Sequence, residues 1–360
     1  MHTRRLALVT VVSLLVLATH AALAGQAGQA RLPNVMILAT GGTIAGTGPT
    51  STTTVGYAVA TVGVQALMDA VPELKSVATV RGEQAFQIAS ENMTSEHWLK
   101  LGRRVNELLA QDDVDGIVVT HGTDTLEETA YFLNLVVKSA KPVVLVGAMR
   151  PSTALSADGP MNLFNAALLA GSREAVGQGV LVCMNDQING ARDVTKTNTS
   201  DLDTFRSREL GPLGSMKAGK PVFYRTSTRR HTTQSEFDIR DVKELPRVGI
   251  VYAYADYGRV AIEAFSAAGV KGIVHAGVGN GSVAIDARPA LVAARARGII
   301  IVRSSRVGSG AVARNGEVND DAVDFVVADN LNPQKARILL ALALTRTTDT
   351  REIQRMFYQY

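Results

Sequence analysis

Eight short apolar runs, rich in Val and Ile and without polar alternation, constrain this chain more than any other feature. They lie at 35–39, 117–120, 143–146 and 180–184, then at 248–253, 273–276, 299–302 and 325–328. A strand with one wet face alternates, whereas runs like these suit strands buried on both faces of a parallel sheet. Helix-length segments lie between them at 95–110, 125–139, 161–171 and 333–345. Strand–helix alternation of this kind predicts an α/β fold. No short-period repeat is present, which argues against solenoids and propellers.

The chain has 360 residues, more than one ordinary core holds. The pattern lapses between 225 and 246, where Arg225, Arg229, Arg230, His231, Gln234 and Glu236 fall in a polar stretch. We therefore expect a large N-terminal domain, 31–224, with a mostly parallel sheet flanked by helices. A linker at 225–246 would join it to a smaller C-terminal α/β domain, 247–360. A long surface excursion within one domain is the alternative.

The first residues have a different character. Arg4 and Arg5 precede an apolar run over 6–17 broken only by Thr10 and Ser13, and Ala22-Leu23-Ala24 follows with small residues at the two positions that guide cleavage. This layout predicts a secretory signal over 1–24, removed after Ala24, and hence a periplasmic or secreted protein. The run falls short of the roughly 20 residues that span a bilayer, so a retained anchor is the runner-up and no membrane contact is expected after cleavage. There is one cysteine, Cys183, so no intramolecular disulfide, CxxC pair or cysteine zinc site can form. An exported chain without a disulfide must draw its stability from a large core or from oligomerisation. Lys and Arg number 37 against 33 Asp and Glu, a formal charge of +4 that falls by two with Arg4 and Arg5. That surplus is too weak, and too scattered, to suggest nucleic acid.

Ligands of open parallel sheets bind at the carboxyl ends of strands, so the loops after the runs are the places to search. After 35–39 comes Thr40-Gly41-Gly42-Thr43-Ile44-Ala45-Gly46, and after 117–120 comes His121-Gly122-Thr123-Asp124-Thr125 followed by Glu127 and Glu128. Neither loop is a phosphate-binding motif, and GxSxG, SxxK and HExxH are absent throughout. Asp124 or Thr125 could cap the following helix, and the two glutamates suit its first turn. His121 reads as structural, since no Ser or Cys nucleophile motif accompanies it. Two loops presenting Thr suggest hydrolysis with Thr as nucleophile, which is inert until a base takes its proton. Lys196, among small polar residues at 192–199, could be that base if its surroundings lower its pKa. Read alone, a lysine in such a loop is usually a solvated surface charge, so spacing does not select it.

These segments resemble the two signatures of the bacterial-type L-asparaginases: Ile37-Leu38-Ala39 with 40–45, and 116–126 containing HGTDT. The likeness extends through 147–152, 156–160, 193–198, 277–281, 302–307 and 331–337, and covers about 32–360. With the export signal, the chain resembles the secreted type II branch. The resemblance implies hydrolysis of L-asparagine to L-aspartate and ammonia through a threonine acyl-enzyme, with no metal or organic cofactor. It implies a homotetramer with active sites between subunits.

By the same resemblance, Thr43 matches the nucleophile and Tyr57 the tyrosine of a mobile flap. Thr123, Asp124 and Lys196 match a second group that activates the nucleophile or the water. Ser90 and Glu91 match the pair that grips the amino-acid end of the substrate, while Asn280 and Glu317 match residues contributed by a neighbouring subunit. Apart from the resemblance, each reads as a loop polar group. Many members have Gln where this chain has Glu91, and the acid occurs in relatives that also hydrolyse glutamine. A glutaminase-asparaginase acting comparably on both amides is therefore the alternative. A rival of another class, an exported solute-binding protein, also has two α/β lobes but needs no nucleophile.

Overall fold

Strand β1 (Asn34–Gly41) pairs in parallel with β2 (Thr79–Ile88) on one side and with β3 (Gly116–Thr120) on the other. The computed structural model describes residues 31–360; the expected signal at 1–24 lies outside the described residues. Beyond β3 the parallel sheet continues through β4 (Val143–Val146) and β5 (Val180–Met184). There it changes sense. β6 (Gln187–Gly190) turns back antiparallel to β5. After a separate ribbon of β7 (Thr195–Lys196) and β8 (Phe205–Arg206), strands β9 (Gly214–Lys217) and β10 (Lys220–Phe223) complete the sheet. The resulting order is β10-β9-β6-β5-β4-β3-β1-β2.

Both faces of this sheet are dry, which is why its central strands do not alternate. Met36 and Leu38 of β1 pack with the helices Ser95–Leu109 and Leu126–Val136, whereas Val35 and Ile37 pack with the helix Gly159–Ala170. Successive side chains of a strand point to opposite faces, so both sets must be apolar.

A second sheet holds β11 (Val248–Tyr252), β12 (Gly272–Gly277), β13 (Ile300–Ser305) and β14 (Val326–Val327), all parallel and in that order. The helices Val260–Ala267 and Arg288–Ala296 contribute to the apolar cluster on one of its faces. The helix Pro333–Ala343 packs against β11, β12 and β13 and also against the helix Leu126–Val136 of the large sheet. This two-domain α/β architecture is the one expected from the apolar runs.

Between 225 and 246 there is no strand, only a 3-10 turn at Thr232–Gln234. The segment is nonetheless tied down. Phe237 and Ile239 are buried in the main core, and Arg103 donates to the carbonyls of Ile239 and Val242.

Candidate active site

β1 ends at Gly41, and Gly42 then turns with φ 82° into a 3-10 turn, Thr43–Ala45. A Cβ on Gly42 would lie 2.3 Å from both the Cα and the N of Gly122. One on Gly122 would lie 2.6 Å from Ser90 Oγ. The loops after β1 and β3 therefore meet backbone to backbone, and the loop after β2 closes on them through the Ser90 side chain. Thr43, Ser90 and Thr123 are gathered at the carboxyl ends of three adjacent parallel strands, where such sheets bind ligands.

Thr43 is only 7% exposed, and its Oγ1 lies 2.9 Å from the hydroxyl of Tyr57. Tyr57 is carried by the segment 47–58. The ends of this segment pair as Thr47 N–H to Ala58 O at 2.9 Å and Ala58 N–H to Thr47 O at 3.1 Å. Leu155 N–H donates to Ser51 O at 2.9 Å, so the segment is docked on the loop after β4 with its tyrosine over the threonine.

The second threonine has a different companion. Lys196 Nζ donates to Thr123 Oγ1 at 3.0 Å and lies 2.6 Å from Asp124 Oδ1. Asp124 is exposed, whereas the lysine is half-buried. Ser90 is buried: its Oγ accepts from Asp124 N–H at 3.2 Å, and its carbonyl accepts from Thr125 Oγ1 at 2.7 Å. Glu91 follows it in the turn Ser90–Asn92 and is exposed.

Asn280 and Glu317 are placed elsewhere, in loops of the C-terminal domain. Asn280 Oδ1 accepts from Ala313 N–H at 2.8 Å, and Glu317 is exposed in the loop that follows. A Cβ on Gly316 would lie 3.1 Å from Asn280 Nδ2, so the two loops adjoin. Among the described residues, no hydrogen bond links either one to Thr43, Thr123 or Lys196.

His121 is fully buried and serves the scaffold. Its Nδ1 lies 2.7 Å from Gly122 O and its Nε2 2.9 Å from Thr129 Oγ1, which accepts from the Trp98 indole at 2.9 Å. With Nδ1–H donating to the carbonyl, Nε2 accepts the threonine proton and the whole chain is satisfied by a neutral ring. Burial accordingly pulls its pKa down to about 4.

Sequence reasoning overlooked the residues beneath Lys196. Glu127, read there as an ordinary first-turn acid, is 5% exposed. Its Oε2 accepts from Thr195 Oγ1 and from Lys196 N–H, each at 2.6 Å, and its Oε1 accepts from Asn332 Nδ2 at 2.8 Å. Lys335, 2% exposed, donates through Nζ to Arg192 O at 2.8 Å and also to Val194 O. Burial lowers its pKa to about 8 against the opposing pull of Glu127. Glu128 is raised by burial, with Arg337 opposing the shift. No local spacing could signal this cluster, because its partners lie in segments far apart along the chain.

Two family models match. "Asparaginase, N-terminal" covers residues 34–229, and "Glutaminase/Asparaginase C-terminal domain" covers 247–357. The chain is 54% identical over 331 residues to a glutaminase-asparaginase of Pseudomonas fluorescens biotype A, covering 92% of this chain and 91% of the relative. It is 52% identical over 329 residues to L-asparaginase 2 of Escherichia coli strain K12, covering 91% and 94%. A protein of Haemophilus influenzae named probable L-asparaginase periplasmic is 48% identical over 334 residues, covering 93% and 95%.

Proposed function

The chain belongs to the asparaginase family and is an L-asparaginase, and on that premise we propose how its residues carry out the hydrolysis. Thr43 Oγ1 attacks the side-chain amide carbon of asparagine while its proton moves toward the Tyr57 oxygen. Tyr57, on taking that proton, passes its own to the amide nitrogen, so the tetrahedral intermediate expels ammonia and leaves an aspartyl ester on Thr43. Water, held by Thr123 and Lys196, cleaves that ester to release aspartate and restore the hydroxyl.

One observation carries this reading: each buried threonine has its own proton-handling partner within hydrogen-bond reach. Thr43 has Tyr57 at 2.9 Å, and Thr123 has Lys196 at 3.0 Å. The remaining groups suit a free amino acid. Asp124 and Glu91 offer carboxylates to its ammonium, while the Ser90 hydroxyl and the tight loop amides offer donors to its carboxylate and to the developing oxyanion. Thr43→Ala should abolish ammonia release from asparagine while leaving asparagine binding in place. Full activity in that variant overturns the assignment of the nucleophile.

L-Glutamine is a second substrate in this reading, supported by Glu91 and by relatives named glutaminase-asparaginase. Steady-state hydrolysis of both amides by the purified chain decides it, and no turnover of glutamine removes it.

We further place Asn280 and Glu317 in the site of a neighbouring copy within a homotetramer. Their adjacency, and their lack of any hydrogen bond to Thr43, Thr123 or Lys196, support this. If so, mixing Thr43→Ala with Glu317→Ala subunits restores part of the activity, and light scattering gives four chains per particle. Export after cleavage at Ala24 is supported by the sequence of 1–24 and by a relative named periplasmic. We also place the domain limits at 31–224 and 247–360, joined by 225–246, a reading supported by one match that ends at 229 and another that begins at 247.

A further inference from the structure

Lys196 stands on a strand only two residues long, β7, in a ribbon of two strands that belongs to neither main sheet. Such a ribbon is too small to fix its own register. A slip of one residue would turn Lys196 to the opposite face and carry its amine away from Thr123. The position of this amine must therefore be set by whatever holds the segment 192–196.

Two buried charges of opposite sign hold it. Glu127, in the first turn of the helix Leu126–Val136, takes the Lys196 N–H and the Thr195 hydroxyl on one carboxylate oxygen. Lys335, in the first turn of the helix Pro333–Ala343, takes the carbonyls of Arg192 and Val194. Asn332 joins the two clamps. Its side-chain oxygen caps the helix Pro333–Ala343 by accepting from Lys335 N–H at 3.0 Å, and its side-chain nitrogen donates to the other Glu127 oxygen at 2.8 Å. Donors on the segment thus meet an acid and acceptors meet a base. A shifted register would leave Glu127 and Lys335, both buried, facing groups of the wrong kind, which is costly for buried charges.

An acid of a helix's first turn that acted only on the helix dipole would need no partners outside its own turn. Glu127 instead accepts from residues 68, 69 and 205 positions away. We propose that Glu127 is a positioning residue for the amide hydrolysis, placing the Lys196 amine beside Thr123, and that Asn332 and Lys335 of the C-terminal domain hold it to that task. The active site would then depend on the C-terminal domain of its own chain, apart from any residue supplied by a neighbour. This rests on the role given to Lys196 above.

The test is a double-mutant cycle on the full chain. Glu127→Gln keeps the size of the side chain but sets an amide donor against either Asn332 or the strand. It should lower kcat about 100-fold, the scale of an ångström-sized misplacement, with KM changed less than about threefold. Lys196→Ala alone should lower kcat at least as far. In the Lys196→Ala background, Glu127→Gln should then cost nothing further. A merely structural glutamate would give additive losses, and additivity overturns the proposal while leaving the mechanism intact. Full kcat in Lys196→Ala would sink the mechanism and this proposal together.

Should Glu127→Gln fail to fold, Asn332→Asp serves in its place. It keeps the helix cap but replaces the donor to Glu127 with a like charge. The same non-additivity with Lys196→Ala is expected, and wild-type kcat in a folded Asn332→Asp overturns the proposal.

Discussion

Gly42 and Gly122 meet backbone to backbone, so closely that a methyl group on Gly42 would lie 2.3 Å from Gly122 Cα. That approach brings the loop of Thr43 and the loop of Thr123 into one site. Gly42 also holds φ 82°, a conformation that disfavours a side chain independently of the crowding. Gly42→Ala must therefore push the loops apart. We expect kcat/KM to fall by about 100-fold or more and the unfolding free energy by about 1–3 kcal/mol. Steady-state kinetics and denaturant titration check both. Wild-type kinetics in a folded Gly42→Ala would show that the contact is not required.

Tyr57 reaches Thr43 through its hydroxyl alone, from a segment whose ends pair at Thr47 and Ala58. Tyr57→Phe removes that oxygen and little else. If Tyr57 receives the nucleophile's proton, kcat falls roughly 100-fold or more, the lower end of what a positioned proton acceptor supplies. The thermal midpoint should scarcely move, because the side chain is half-exposed. An unchanged kcat would leave Tyr57 only the task of covering the substrate.

Cys183 lies in β5 next to its last residue with no exposure, and burial pushes its thiol up to about 12. The thiolate is the reactive form, so the native protein should be inert to thiol reagents at neutral pH. A chromogenic disulfide reagent should detect no thiol in the folded chain and one per chain after denaturation. Labelling of the native enzyme at the denatured rate would show that the strand opens readily.

The legibility of the fold follows burial. β3, β4 and β5 stand out in the sequence because helices cover both of their faces and every position but Thr120 is apolar. β2 escaped notice, since it is an edge strand with Arg81, Glu83 and Gln84 among its residues. β6, β9 and β10 escaped too: each is only four residues long, and Gln187, Asn189, Lys217 and Pro221 break any apolar run. At the site, the threonine loops were visible because glycine and threonine cluster beside strands. Glu127 was visible only as a helix-start acid, because its role comes from Asn332, 205 positions away. Lys335 lies in the segment 331–337 that shares the family resemblance, but nothing local marks its role; a lysine in a helix's first turn reads as solvated until the fold buries it.

His121 and His275 make the acid side of stability predictable. Burial depresses each to about 4 from 6.5, with Arg303 adding to the effect at His275. His275 Nε2 meets the Tyr257 hydroxyl at 2.8 Å, and its Nδ1 has no partner. That hydroxyl also accepts from Ala284 N–H, so a proton added to the ring brings no new bond to match its burial. Both rings are neutral in the folded chain, whereas the unfolded chain protonates them below about 6.5. The stability they confer is present in full above that value and is lost as pH falls toward 4. Each histidine contributes a slope of at most about 1.4 kcal/mol per pH unit. Between pH 6.5 and about 5, above the range of ordinary carboxylates, His231, whose pKa burial also lowers, acts in the same direction. Denaturant midpoints measured across that window should therefore decline, and less steeply in His121→Asn. A flat profile from 6.5 to 5 would mean that one or both rings accept a proton without leaving the fold.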